Sequence, residues 1–281
     1  MPRSLIAAYR ARLPLGPADA QLLHRTPDDR VVGLYRAARL TSVFQPVAER
    51  TGAVIGQVGY VRCEGEGAVD LSPWQLFALA ASDDELVRLD RLCRTVHALN
   101  YFGADAGGRR LHLLVEYRLL TTVPDDHGRA FERVLASFEV RTGRVVIELP
   151  GEASGNSGLL AHVIANYRYH GYAVAARALP GKLEAVAVLR PDIVRLDPRD
   201  HPHGELRKAI ELVRHLGAKA LVERLDSPRA VEHAVEAGAD LVQGFAVGVP
   251  APEPSWRPIA NMSANAAPSP SRDTAAGVAQ S

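Results

Sequence analysis

From Arg144 to Gly248 the sequence alternates short apolar runs with segments patterned for helix, and few folds accept that alternation. The runs are RVVIELPG (Arg144–Gly151), YAVAAR (Tyr172–Arg177), DIVRLD (Asp192–Asp197), AKALVERLD (Ala218–Asp226) and ADLVQGF (Ala239–Phe245). Between them, LLAHVIANYRYHG, LEAVAVLR, HGELRKAIELVRHLG and SPRAVEHAVEAG repeat apolar residues at helical spacing, and three of the four end on glycine. Short buried strands alternating with helices imply parallel β-α units. In a closed barrel of such units, polar residues at the carboxyl ends of the strands face the functional mouth. Here those residues are Arg195, Asp197, Glu223 and Gln243.

The upstream half supplies the remaining strands. TSVFQPV (Thr41–Val47) and AVIGQVGYVRCEG (Ala53–Gly65) are separated by a turn at Arg50-Thr51-Gly52, too short for anything but an antiparallel pair. Ser72-Pro73 opens a helical region that runs through DDELVRLDRLCRTVHALNYF. LHLLVEY (Leu111–Tyr117) is a buried strand closing on Glu116, and HGRAFERVLASFEVRTG is the helix that follows it. The count reaches about eight strands, the number that closes this barrel. The expected fold is therefore α/β, a (β/α)8 TIM-like barrel over residues 39–252 whose first strand is antiparallel. Residues 1–38 are expected to form an N-terminal helical extension, with Pro27-Asp28-Asp29 as a helix start before RVVGLYRAARL. Residues 253–281, rich in Pro, Ala and Ser, are expected to be a disordered tail.

Composition enters mainly by exclusion. A chain of 281 residues holds one large domain. A formal net charge of +1 gives no argument for nucleic acid or an anionic membrane surface. Two cysteines, Cys63 and Cys93, exclude a disulfide framework and read as inert core thiols. No apolar run is long enough for a membrane span, and the opening residues lack the pattern of a secretory signal, so a cytoplasmic location is expected.

Five stretches carry a resemblance in their joint order: FQPV, SPWQLFALAASDDELVRLD, VVIEL, DIVRLD and LVQGFAVGVPAP. Together, from about Arg39 to Pro252, they resemble the EAL domain family, the cyclic di-GMP phosphodiesterase barrel. The resemblance implies an EAL-type barrel and a two-metal site at its mouth, and the sequence departs from that site. VGYVR stands where the family has E-x-L-x-R, so Val58 replaces the metal-binding glutamate, Tyr60 the leucine, and Arg62 alone is kept. The family asparagine falls on Glu116, the paired aspartates of its DDFG loop on Arg177-Ala178-Leu179-Pro180, and its catalytic lysine on Arg195. Gln45, Arg62, Glu148, Asp197, Glu223 and Gln243 are retained.

Two-metal phosphodiester cleavage needs two cations about 3.5–4 Å apart, each held by several hard oxygen ligands. Losing a glutamate and an aspartate pair strips those ligands, and Arg177 puts a fixed cation in their place. Arg195 does not stand in for lysine, because its guanidinium differs in shape and does not deprotonate. No catalytic residue is expected, although Arg195 and Glu223 occupy the family's catalytic positions. The ligand-binding set implied by the resemblance is Gln45, Arg62, Asp197 and Gln243. Residual metal candidates are Glu116, Glu148 and Glu223, each weighed against an ordinary role as a carboxylate paired with a neighbouring arginine. The functional expectation is a regulator in bacterial cyclic di-GMP-type signalling that works by contact with a protein partner or by binding the nucleotide without hydrolysis. No cofactor is expected. The alternative is a residual phosphodiesterase dependent on magnesium or manganese, and a third reading is an unrelated barrel enzyme using Glu116, Glu148 and Glu223.

Overall fold

Ten strands form one sheet that closes on itself in a computed structural model describing residues 22–36, 38–65, 71–104, 107–123, 128–202 and 204–259. A short hairpin comes first, β1 (Leu23–Arg25) and β2 (Val31–Tyr35), followed by the long pair β3 (Ala38–Glu49) and β4 (Val54–Gly65). The remaining strands are β5 (Arg110–Leu114), β6 (Val145–Leu149), β7 (Ala173–Arg177), β8 (Ile193–Leu196), β9 (Lys219–Val222) and β10 (Leu241–Val242). Neighbours from β4 round to β10 pair in parallel, and β3 closes the ring antiparallel to both β4 and β10. The result is the expected eight-stranded barrel with an antiparallel first strand, and the β1–β2 hairpin extends the sheet from β3.

Parallel strands covered on both faces must be apolar on both faces, and Val145–Leu149 is buried at every position. The helices are α1 (Pro73–Ala78), α2 (Asp83–Gly103), α3 (Tyr117–Thr122), α4 (Arg129–Ala136), α5 (Ser157–Tyr169), α6 (Leu183–Ala187), α7 (Glu205–His215) and α8 (Pro228–Glu236). Their starts follow local chemistry. Ser72 and Gln75 form a reciprocal capping box on α1. Ser82 accepts from the Glu85 backbone at the head of α2, whose first turn carries Asp83, Asp84 and Glu85 toward the positive end of the helix dipole. Ser227 caps α8 with Pro228 in its first turn. No helix among the described residues is long and apolar enough to cross a membrane.

Two expectations are corrected at the ends of the barrel. RVVGLYRAARL is not helical: Val31–Tyr35 is a strand and Ala38 begins the next. Pro27-Asp28-Asp29 makes the hairpin turn instead, with Asp29 at a φ of 71° and its N–H donating to the Thr26 carbonyl. The physical reason is a docking surface: Gly33 lies against Leu92 and Val96 of α2, and Asn100 of α2 pairs both backbone groups of Val31. Residues 1–21 of the expected extension lie outside the described residues. At the other end, residues 253–259 are not a loose tail. Gln57 Nε2 donates to the Ser255 carbonyl at 2.6 Å, the Ile259 N–H donates to Gly52, and Trp256 packs edge-on against Tyr101 at 5.3 Å. The rest of the expected tail, from residue 260, lies outside the described residues.

Candidate functional site

Strand alternation sends every second side chain into the barrel, and the inward residues sort into two layers. Val47, Val58, Val146, Ala175, Ile193, Leu221 and Leu241 pack together as the lower layer. Two residues further along the strands, the same faces present Gln45, Tyr60, Glu148, Arg177, Arg195, Glu223 and Gln243. The short β10 can end beside β9 because Gly244 crosses directly over Leu225. A Cβ there would lie 2.2 Å from the Leu225 nitrogen, so only glycine fits the crossing.

Arg195 is the centre of the upper layer. It is buried, and its Nη2 donates to Glu223 Oε2 at 2.5 Å while its Nη1 lies 3.1 Å from Glu148 Oε2. Glu148, fully buried, meets His112 Nδ1 with its other oxygen at 2.9 Å. Burial opposes ionisation of Glu148, but Arg195 and the His112 hydrogen bond outweigh it and hold the carboxyl below its ordinary range. Burial likewise works against the charge on Arg195, and Glu148 and Glu223 reverse that, raising its pKa. A second cluster lies outward. Arg177 Nε lies 3.3 Å from Glu223 Oε1, and its Nη2 lies 3.4 Å from Asp197 and 3.6 Å from Asp200. Asp197 also receives Arg199 at 2.6 Å and Arg224 at 3.4 Å. Burial would push the Asp197 carboxyl up, and the hydrogen bonds from Arg199 bring it below its usual value. Beside these charges, Gln243 Nε2 donates to Gln45 Oε1 and to the Tyr60 hydroxyl, both at 2.9 Å. Burial, with Glu148 nearby, pushes the Tyr60 hydroxyl up to about 12.

Above this layer opens a cavity of about 540 Å³, lined among others by Tyr60, Arg177, Arg195, Arg199, Glu223 and Arg224. Leu114 and Phe245 also line it and are exposed. Gln45 and Gln243 lie on its wall, and Asp197 and Glu148 stand behind it. The structure thus brings Gln45, Glu148, Asp197, Arg195, Glu223 and Gln243 to one mouth. It does not bring Arg62 or Glu116 there. Arg62 is exposed on the outer reach of β4, outside the cavity lining. Glu116 sits at the N-cap of α3, where burial raises its pKa, and the β5 residue that reaches the cavity is Leu114. Arg118 lies 3.7 Å from Asp83, and its backbone N–H and charge also act on Glu116. Asp200 faces Arg177 and caps no helix, while Asp197 caps the short turn Pro198–Asp200. His112, Leu114 and Arg199 are site residues that sequence reasoning missed. Two of them were readable in period two: His112 and Leu114 share the inward face of LHLLVEY.

The donor set does not fit a divalent cation. Both oxygens of Glu148, both of Glu223 and both of Asp197 face a guanidinium or an imidazole, so a hard cation, which needs several oxygens, would have to displace those partners. Among the described residues, no group of three or more His, Cys, Asp or Glu side chains could hold a metal ion.

The model of the EAL domain family matches residues 30–250. Among solved structures, the Bacillus subtilis YkuI protein, which has an EAL domain and was solved with substrate c-di-GMP and calcium, is similar with 21% identity and a TM-score of 0.64. The similarity covers 78% of this chain and 57% of that one, so this chain spans little more than half of the Bacillus protein. The PaMucR phosphodiesterase, solved as a c-di-GMP complex, gives 16% identity and a TM-score of 0.62 over 76% of this chain and 92% of its own. The Xanthomonas citri FimX EAL domain, in complex with c-diGMP, gives 16% and 0.61 over 78% and 91%. At these identities the likeness is one of fold. None of the curated proteins matches this chain.

Proposed function

The chain belongs to the EAL domain family, and from that premise we propose that it is a non-hydrolysing regulator in cyclic di-GMP signalling, acting in the cytoplasm through contact with a protein partner. One observation carries the reading: the Arg195 guanidinium lies between Glu148 and Glu223, at 3.1 and 2.5 Å, where hydrolysis would require carboxylate oxygens directed at metal. A buried guanidinium paired on two sides is costly to move, because each carboxylate left behind would be an uncompensated buried charge. The residual phosphodiesterase reading, with magnesium or manganese held by Glu116, Glu148 and Glu223, needs Glu116 at the mouth and both other glutamates released from Arg195.

A second reading, nucleotide binding without metal, is favoured by the cavity itself. Its volume of about 540 Å³ is within the usual range of small-molecule sites, about 300–1,000 Å³. Arg199 and Arg224 keep half or more of their side chains exposed at its rim, where they can turn to a phosphate. Because Arg62 is outside the cavity lining, this reading gives binding to Arg199, Arg224, Gln45 and Gln243 rather than to Arg62.

Titrating the full chain with cyclic di-GMP, with magnesium and with chelator, tests these readings. The expected result is no linear dinucleotide under either condition. Turnover at an ordinary enzymatic rate of about 1 s⁻¹ or faster, lost in Glu223→Ala, would overturn the proposal. Saturable binding that ignores the chelator favours the nucleotide-binding mode, and its absence favours protein contact.

A further inference from the structure

Among the described residues, five that are not glycine carry a left-handed backbone, and four of them turn the chain at its surface. Asp29 and Arg36 lie in the turns on either side of β2, and Glu139 and Arg190 follow the ends of α4 and α6. Arg224, at a φ of 59°, is the exception, because it stands at the end of barrel strand β9. The Glu223 N–H donates to the Leu196 carbonyl at 2.9 Å and the Leu225 N–H to the Gln243 carbonyl at 3.1 Å, so the kink is confined to one residue between two anchored ones. Its effect is to reverse the alternation of side chains. Leu221 packs inside the barrel and Val222 outside it with the helices, so by alternation Arg224 would follow Val222 outward. Instead Leu225 joins Val222 in the outer core, and Arg224 lines the mouth with half its side chain exposed. A left-handed backbone is unfavourable for a residue with a Cβ and costs glycine little. Strain of this kind persists where the surroundings hold it, and it collects at ligand sites.

We propose that Arg224 is the residue that grips the phosphate of the mouth's ligand, and that the kink in β9 aims it there. The inference rests on the nucleotide-binding reading and narrows it to one group, since the other candidates are already engaged. Arg199 holds both oxygens of Asp197, at 2.9 and 2.6 Å. Arg177 shares three carboxylates, and Arg195 is buried between Glu148 and Glu223. The Gln45 amide donates to the Gly248 carbonyl and accepts from Gln243, whose own NH2 group is shared with the Tyr60 hydroxyl. Arg224 makes one ion pair among the described residues, from Nε to Asp197 Oδ2 at 3.4 Å, and that oxygen already receives Arg199 at 2.6 Å. The two Nη groups of Arg224 have no partner among the described residues. They form the planar edge of the guanidinium, which matches two oxygens on one phosphorus.

Two variants separate the side chain from the backbone. Arg224→Ala removes the guanidinium and keeps the strain, while Arg224→Gly removes both. The Gly variant should therefore melt about 2–4 °C above the Ala variant. Cyclic di-GMP and inorganic pyrophosphate are titrated by calorimetry into the full chain and into each variant, with chelator present. Wild-type protein is expected to bind both probes, and each variant to bind them about 10–100-fold more weakly, the loss of a hydrogen bond to a charged group. A loss shared by two variants of different stability belongs to the guanidinium and not to the fold. Pyrophosphate binding that depends on Arg224, with no binding of cyclic di-GMP, would keep the role of Arg224 and discard the nucleotide reading. Cyclic di-GMP that binds wild type and both variants alike would keep that reading and overturn the role of Arg224. Failure of both probes to bind wild type overturns both. An Ala variant as stable as the Gly variant overturns the claim that the kink holds Arg224 in place at a cost.

Discussion

The two layers of the barrel interior solve the same packing problem with opposite chemistry. The lower layer is hydrocarbon but for His112 on β5, and Val58 in it is fully buried. The upper layer is built of ions, Glu148 and Glu223 around Arg195. They lie one strand repeat apart, on the same inward faces. A hydrocarbon layer draws its stability from each methyl it removes from water. An ionic layer recovers desolvation only where every charge meets its opposite. The lower layer should therefore reject any charge, and the upper layer should tolerate the loss of neither partner at its centre.

The sharpest test restores a carboxylate where the EAL family carries one. Val58→Glu places an acid among Val47, Val146, Leu221 and Leu241, where its register partner on β5, His112, is already bonded to Glu148. Burial without a partner can displace a carboxyl pKa by about 3–5, which corresponds to roughly 4–7 kcal/mol. The variant is expected to lose that much stability in urea denaturation at pH 7, or to fail to fold, and magnesium should not rescue it. A Val58→Glu protein of near-normal stability, further stabilised by magnesium, would show that the two layers are not separate.

What the sequence made legible follows the same division. The alternation of β and α segments could be read because buried parallel strands such as VVIEL are apolar but for one residue at the mouth and their helices are periodic. The pairing of Arg195 with Glu148 and Glu223 could also be read, since all three sit on inward faces near strand ends. The hairpin could not. RVVGLYRAARL holds apolar residues at helical spacing as well as in a β-favouring Val-Val pair, and its contact with Leu92 and Val96 of α2 decides between them. Glu116 was misplaced by one strand repeat. It shares the inward parity of Leu114, but the chain leaves the strand at Val115 and begins α3. Arg62 has the parity of Tyr60, yet β4 runs on past the mouth and carries it outside the cavity lining. Arg199 and Arg224 are loop residues, and no strand periodicity points to them.

The next largest effect is expected from the ionic layer. Arg195→Ala leaves Glu148 with His112 alone and Glu223 with Arg177 alone. Removing one partner of a buried pair costs about 3–5 kcal/mol. The pH dependence should change sign as well. In the wild type the folded-state pKa of Glu148 is depressed, so its stabilisation is present above the unfolded value of about 4.3 and is lost as pH falls through the lower folded value. In Arg195→Ala the same carboxyl is buried without its cation, and its folded pKa should rise above the unfolded one. Its stabilisation is then fully present below about pH 4.3 and lost as pH rises through the folded value. Urea unfolding at pH 5 and pH 7 checks this. The variant should be the more stable at pH 5, and equal or lower stability at pH 5 would contradict the ionic account.

The smallest effect separates the edge of the ionic layer from its centre. Arg177 shares Asp197, Asp200 and Glu223 at 3.3–3.6 Å, and its side chain is 21% exposed. Each of its principal partners keeps another cation when it is removed: Asp197 retains Arg199 and Arg224, and Glu223 retains Arg195. Solvent screens what remains, so Arg177→Ala should cost about 1–2 kcal/mol, between an exposed ion pair and a hydrogen bond to a charged group. A site emptied of one guanidinium beside three carboxylates is also the place where a divalent cation would gain most. Millimolar magnesium is expected to leave the wild-type melting temperature unchanged, because the guanidinium groups already answer the carboxylates. It is expected to return part of the lost stability to Arg177→Ala. Wild-type protein that gains several degrees from magnesium would mean that Arg177 moves aside for metal, and the mouth would then belong with the hydrolytic members of the family.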